Sequence, residues 1–359
     1  MSKIHVAGDI VLDRYRIDSY VAEGGMQEVY KAYDQNIDRV VALKSPKNLS
    51  ASKRFQRSAL ASSKVNHVSV ARTLDYFIYN EREYLVEQFI NGDTLASVFT
   101  KNFDYLDPFM VAHIGYHLIR GIFASHRVGV IHRDLKPSNI MVIGDISFSN
   151  VMITDFGIAK LVDEELELLK SEDVENSILA SKTLVGAVPY MAPELLLEKS
   201  NPELSSDIWS FGAILYHLLS GKPPYSLSFT NVIISYANKE PLKDIPHLSS
   251  MKHAHEIVTQ LYGIISECMN YDQTQRPSAF SILEKFSSIC YSYKERQKGR
   301  VYHQPYRSQG FASNPLTNVN VFYHIDEVYG DVPEIGDTIC FSSFNGLPSN
   351  RAFPVIRCK

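Results

Sequence analysis

One run, His132-Arg133-Asp134-Leu135-Lys136-Pro137-Ser138-Asn139, with Asp155-Phe156-Gly157 shortly after it, constrains this chain more than any other feature. It sets a potential base, a cation and two oxygen ligands for a metal on neighbouring stretches. Phosphoryl transfer uses those parts. A carboxylate orients a hydroxyl, an ammonium balances phosphate charge, and Asn and Asp oxygens hold Mg²⁺ on the phosphates.

The 359 residues suffice for two or three domains with a sizeable core. A hydrophobic share of 45% and a net charge of −4 suit a globular protein and give no dominant field for nucleic acid or a membrane. Cys268, Cys290, Cys340 and Cys358 lack the close spacing of a zinc site or a disulfide framework, so they read as thiols in a reducing compartment. The opening residues lack a signal-peptide apolar core. No run approaches the roughly 18 apolar residues of a spanning helix. The best, Ile208 to Leu219, is interrupted by Gly212 and His217. The expected location is cytoplasmic.

Residues 15–95 read as short strands around one helix. Arg16–Tyr20, Val29–Tyr33, Val40–Lys44, Asp75–Tyr79 and Tyr84–Phe89 are weighted to β-branched and aromatic residues, and Ser52–Val65 is helix-like. From Pro108 onward, helical spacing dominates in Met110–Ser125, Ser206–Ser220 and Glu256–Met269.

The catalytic run and the Asp-Phe-Gly triplet resemble the catalytic and metal loops of bacterial eukaryotic-like (Hanks-type) Ser/Thr protein kinases. A β-rich lobe before a helical lobe matches that family's order. The resemblance implies ATP and Mg²⁺ as cofactors and a protein substrate. It makes Asp134 the base, Lys136 the cation on the transferred phosphate, and Asn139 and Asp155 the metal ligands. The run from Ala22 to Ala32 resembles the family's glycine-rich loop, in which glycines let backbone N–H groups approach phosphates. Gly24 keeps the central position, while Ala22 and Gln27 stand at the outer two. By the same register Val29 and Ala42 cover the adenine, Lys44 holds the α- and β-phosphates, and Glu87, Phe89 and Ile90 line the back of the pocket and the hinge. Glu194 and Arg276 are expected to form a buried ion pair, and Asp207 to anchor the catalytic loop backbone.

Three departures from the pattern stand out. The helix position that carries the family's Lys-pairing Glu is Ser58, and no acid occurs between Lys44 and Asp75. The usually apolar position at the rear of the adenine pocket is Glu87. A lone charge in either place is costly, so Lys44 and Glu87 are each other's expected partners. Thirdly, Ala187 stands where Ser/Thr kinases carry a Thr bonded to the base.

Between Asp155 and Glu194 an acidic stretch carries Asp163, Glu164, Glu165, Glu167, Glu172, Asp173 and Glu175 against Lys170, with Leu161, Leu166, Leu168 and Leu169 suggesting an amphipathic helix. Its readings are a solvated surface helix or a regulatory element contacting Arg133, with Ser177, Ser181 and Thr183 as phosphorylation candidates.

The tail resembles a cold-shock-type barrel in Gly299–Val301, Ser308–Phe311, Val321–Ile325, Gly336–Phe341 and Arg351–Val355. Such barrels stack single-stranded bases on aromatics, and Phe311, Phe322 and His324 keep that platform. His303 and Gln309 replace two aromatic positions. Arg300, Arg307, Arg351, Arg357 and Lys359 are balanced by Asp326, Glu327, Asp331, Glu334 and Asp337, which gives no electrostatic funnel. Single-stranded nucleic acid and a protein partner both remain open at this barrel, and no membrane partner is expected.

The expected fold class is α+β: a two-lobed protein kinase fold followed by a small all-β (OB/cold-shock-like) barrel. Residues 1–13 form an N-terminal extension and residues 14–290 the kinase domain, with a small lobe to about 90 and a large lobe beyond. Residues 291–298 form a linker and residues 299–359 the barrel. The main functional reading is an autophosphorylating Ser/Thr protein kinase; the alternatives are a weakly active or inactive ATP-binding scaffold and a nucleic-acid-responsive adaptor.

Overall fold

The computed structural model describes residues 3–23, 27–47, 52–156, 186–197, 203–291 and 293–359. Strands β1 (Ile10–Val11), β2 (Tyr15–Glu23), β3 (Gln27–Asp34), β4 (Arg39–Pro46), β5 (Thr73–Tyr79) and β6 (Arg82–Gln88) form one antiparallel sheet in the order β1-β2-β3-β4-β6-β5. Side chains alternate across it. Tyr15, Ile17, Tyr30, Ala32, Val41, Leu43, Tyr84 and Val86 pack together on one side. The register pairs Val29 with both Ala22 and Lys44, and Ala42 with Glu87, so these residues share the opposite side. Helix α1 (Ser52–Ser62) packs against the sheet through Phe55 and Ala59 on Leu85. It ends three residues short of the expected Val65. The N-terminal extension lies on the sheet as well as adding β1. Ile4 N–H donates to Glu28 Oε2 and His5 N–H to Tyr30 Oη, both at 3.0 Å.

The larger lobe carries a short three-stranded sheet, β7 (Asp93–Thr94), β8 (Ile140–Ile143) and β9 (Asn150–Ile153). Around it lie α2 (Leu95–Asn102), α3 (Pro108–Arg127), α4 (Pro193–Leu197), α5 (Leu204–Ser220), α6 (Phe229–Ala237), α7 (His255–Cys268) and α8 (Ala279–Ser288). Helix α3 starts where Asp107 Oδ1 accepts from the N–H groups of Phe109 (3.0 Å) and Met110 (3.2 Å), with Pro108 leading. Helix α5 is buried nearly all round and stops at Gly221 in the left-handed region. Backbone bonds from Ile153 N–H to Ser69 O (2.8 Å) and from Ala71 N–H to Ile153 O (2.9 Å) stitch the lobes together behind the cleft.

The tail closes into a barrel from β10 (Gln297–Tyr306), β11 (Gln309–Ser313), β12 (Asn320–His324), β14 (Thr338–Phe344) and β15 (Asn350–Arg357), with β13 (Val328–Tyr329) beside β15. The neighbour order runs β10-β11-β12-β15-β14 and back to β10, with β12 and β15 parallel. Val301, Ala312, Val321, Tyr323, Ile339, Phe341, Ala352 and Val355 fill it.

This barrel is seated on the large lobe. Tyr329, Cys340 and Ile356 belong to the large-lobe core. His113 stacks on Tyr293 with ring centroids 3.8 Å apart, and Phe109 meets Phe353 edge to face. Gly330 lies in the left-handed region directly against Tyr105, where a Cβ would collide with the phenol. Arg296 donates to Asp107 Oδ1 at 2.9 Å, with both side chains buried. Within the charged run Lys294–Lys298, Arg296 is interior, and β10 opens at Gln297. Nor are all the thiols apart, since Cys340 and Cys358 are side-chain neighbours in hydrogen-bond contact.

Candidate active site

Catalytic geometry begins at Asp207, buried on α5. Its Oδ2 accepts from His132 N–H (2.8 Å) and its Oδ1 from Arg133 N–H (2.9 Å), while His126 Nε2 lies 2.9 Å from Oδ2. Burial opposes its ionisation, but the His126 bond and the nearby imidazoles outweigh this and hold its carboxyl below the usual range. The loop at Arg133 takes a left-handed turn (φ 71°), and His132 Nε2 is bonded to Thr154 O at 2.8 Å, fixing the catalytic run to the strand that delivers Asp155.

The turn places Asp134, Lys136 and Asn139 together. Lys136 Nζ is 2.9 Å from Asp134 Oδ2, and Asn139 Nδ2 donates to the same oxygen at 2.9 Å and to Asp134 O at 2.8 Å. Asp134 Oδ1 has no hydrogen-bond partner among the described residues. One oxygen is thus held, and the other is buried without a partner among the described residues. With its amide NH₂ turned to Asp134, Asn139 keeps its amide oxygen for another ligand.

Lys44 projects from β4 and is only 5% exposed. Its Nζ lies 2.5 Å from Glu87 Oε2 and 2.8 Å from Asp155 Oδ1. Burial acts against the ammonium, yet Asp155 and Glu87 outweigh it and raise its pKa above the ordinary value. Burial also acts against Asp155, whose carboxyl is nevertheless held low by Lys44 and by a 2.8 Å bond from Gln27 Nε2. Glu87 is the more deeply buried of the two acids, and burial pushes its carboxyl up against the pull of Lys44. One cation serves two carboxylates, and the less accessible one bears the strain.

Around this cluster Val29 and Ala42 flank Lys44 on the same face of the sheet. Ile90 packs with Ala71 and Met152, and Lys31 Nζ sits 5.4 Å from the Phe89 ring centre. Ala22 is exposed in β2. The structure thus gathers Val29, Ala42, Lys44, Glu87 and Asp155 in one place and Asp134, Lys136 and Asn139 in another. Gly24, the side chain of Ser58, Gly157, the acidic stretch and Ser177, Ser181 and Thr183 lie outside the described residues. Ala187 is buried, with no hydroxyl to offer.

Asp155 and Asn139 present hard oxygen donors, which fit Mg²⁺. Gln27 is the residue that motif reading missed. It stood only as a missing third glycine, although its amide reaches Asp155 across the cleft. The sole hint was a long amide side chain where the family has none.

Similarity to known proteins agrees with this geometry. The model of the family described as protein kinase domain matches residues 15–286. This chain belongs to the protein kinase domain family. It is 34% identical over 224 residues to a probable serine/threonine-protein kinase PknB of Lactococcus lactis, which spans 61% of this chain and 33% of that protein. It is 28% identical over 279 residues to the serine/threonine-protein kinase pkn3 of Myxococcus xanthus, covering 76% of this chain and 49% of that protein. The chain therefore spans between a third and a half of these curated relatives. The kinase domain of Mycobacterium tuberculosis PknI superposes with a TM-score of 0.56 over 79% of this chain and 98% of that one, at 17% identity, a likeness of fold. Among the described residues no helix is long and apolar enough to cross a membrane.

Proposed function

We propose that the chain is a serine/threonine protein kinase that moves the γ-phosphate of ATP to protein hydroxyls. The observation that carries this reading is the divided carboxylate of Asp134. Lys136 and Asn139 fix Oδ2, and Oδ1 is left to accept the proton of an incoming hydroxyl. Lys136 would then face the transferred phosphate, and Lys44 the α- and β-phosphates. Asn139 and Asp155 would hold Mg²⁺, which when bound neutralises charge on the phosphate oxygens. The rest is positioning: Asp207 shapes the loop, and the interlobe backbone bonds fix Asp155 relative to it. An inactive scaffold has no need of a complete set of base, cations and oxygen ligands.

The domain division that fits is an extension to residue 13, a kinase domain over 14–290 with its lobes meeting near 90, and a barrel over 299–359, residues 291–298 joining them. The strand order of the tail, with β12 parallel to β15, supports an OB-type, cold-shock-like barrel. Phe311 meets Phe322 edge to face and lies over His303, while the Arg351 guanidinium covers Phe322 at 4.9 Å. Its balanced charge favours a protein surface over a nucleic-acid strand.

The test is phosphotransfer from γ-labelled ATP to the chain itself and to a generic acceptor protein, followed by phosphoamino-acid analysis. Label on Ser or Thr that disappears with a chelator supports the reading. Label on Tyr alone, or none, defeats it.

A further inference from the structure

Lys44 is positioned from within the sheet. Register places Glu87 diagonally across β4 and β6 on the same face as Lys44, with Leu85 directly opposite the lysine. Both charged side chains are nearly inaccessible, at 6% and 4% exposure, and their polar atoms are 2.5 Å apart. Helix α1, by contrast, contains no acidic residue anywhere in Ser52–Ser62. Its described contacts with the sheet are apolar, Phe55 and Ala59 against Leu85 and Tyr76. A buried ammonium needs carboxylate partners to stay charged. Here they come from a strand and from the loop carrying Asp155, not from helix α1.

We propose that Glu87 is a positioning residue that holds Lys44 at the phosphate site, so that placement of the lysine does not depend on where helix α1 sits. The proposal rests on the cleft being an ATP site. Its logic lies in the sharing of charge. A metal ion held by Asp155 would draw on the carboxylate that Lys44 shares, and so would weaken one of its two partners. Glu87 is the partner that stays. It is fixed by strand register, which does not change when the lobes open or close. A kinase built this way keeps its lysine in place without an inward movement of α1, and control must act elsewhere.

The experiment uses the full chain with Glu87→Met, the isosteric Glu87→Gln, Ser58→Glu, and Glu87→Met combined with Ser58→Glu. Three readouts are needed: ATP affinity with Mg²⁺ by calorimetry, KM against kcat for phosphotransfer, and the rate at which an amine-directed acylating reagent modifies Lys44. Glu87→Met is expected to weaken ATP binding and raise KM by about ten- to a hundredfold, with a smaller change in kcat. Lys44 should acylate faster, because losing Glu87 removes the carboxylate that holds its ammonium within the sheet. Ser58→Glu in that background should recover part of the affinity, and alone it should change little. Wild-type affinity together with wild-type acylation in both Glu87 variants would overturn the proposal. Should Glu87→Met fail to fold, Glu87→Gln carries the same two readouts. If the wild-type chain binds no ATP, the kinase reading fails, and acylation still reports whether Glu87 holds Lys44 in place.

Discussion

Two buried ion pairs of similar length do different work. Glu194 and Arg276, in the large lobe, are joined through both carboxylate oxygens at 2.8 Å. Ser206 also donates to Glu194 at 3.0 Å, the guanidinium donates to Asn270 O and Ser205 O, and it lies over the Trp209 ring at 5.0 Å. Each guanidinium nitrogen and each carboxylate oxygen has a partner. Lys44 in the small lobe instead shares one ammonium between two carboxylates drawn from different lobes. The saturated pair can only hold shape. The shared one has charge to give to an incoming phosphate, and its burial keeps that charge strong.

The contrast can be broken first at the saturated pair. Arg276→Ala leaves the Glu194 carboxylate buried and uncompensated, and should cost about 3–5 kcal/mol of stability. Thermal or urea unfolding measures it. A loss below about 1 kcal/mol would mean that the pair is not the fixed strut described.

The seam between barrel and large lobe offers an intermediate case, in which Asp107 caps α3 and also binds Arg296. Arg296→Met replaces the cation with an apolar chain and leaves Asp107 its two cap bonds. The expected cost is about 2–3 kcal/mol, seen as one lowered unfolding transition for barrel and large lobe together. Separate transitions would show the barrel to be merely appended.

The same seam is sensitive to pH. Burial beside His117 and Arg296 pushes His113 down to about 4 from 6.5, while its ring stacks on Tyr293. The unfolded chain therefore binds the extra proton first. Stability is fully present above about 6.5 and falls as pH drops toward 4, by up to about 3 kcal/mol from this residue. Unfolding midpoints for the wild type and His113→Phe across that window check it; equal slopes would remove His113 from the account.

The smallest expected effect sharpens the shared pair. Gln27 donates to the same Asp155 oxygen as Lys44. Gln27→Ala removes a donor that competes with a cation, so the free Mg²⁺ needed for half-maximal transfer should fall by up to about tenfold. An increase would make Gln27 a helper of the metal and not its competitor.

The large-lobe cluster was legible because its residues lie close together in the sequence. Asp134, Lys136 and Asn139 lie on one turn, so their spacing alone brings them together. The Lys44–Glu87 pair was legible for a different reason. Two departures, a missing acid at Ser58 and an extra one at Glu87, left two charges with one physical solution. Gln27 was not legible, because its partner lies across the cleft and only the folded lobes bring them within reach. Arg296 failed for the opposite reason. It sits in the stretch read as a linker, and its burial depends on Asp107, far away in sequence.

Separating binding from transfer tests the account most directly. Asp134→Ala and Asp155→Ala are each compared with the wild type for Mg–ATP affinity and for single-turnover phosphotransfer. The assignment of roles predicts that Asp134→Ala binds Mg–ATP within a few-fold of wild type and transfers phosphate at least about a hundredfold more slowly. Asp155→Ala should lose the Mg²⁺-dependent part of binding as well. Substantial transfer by Asp134→Ala would contradict the account, because the carboxylate with one held oxygen and one unpartnered would then not be the base.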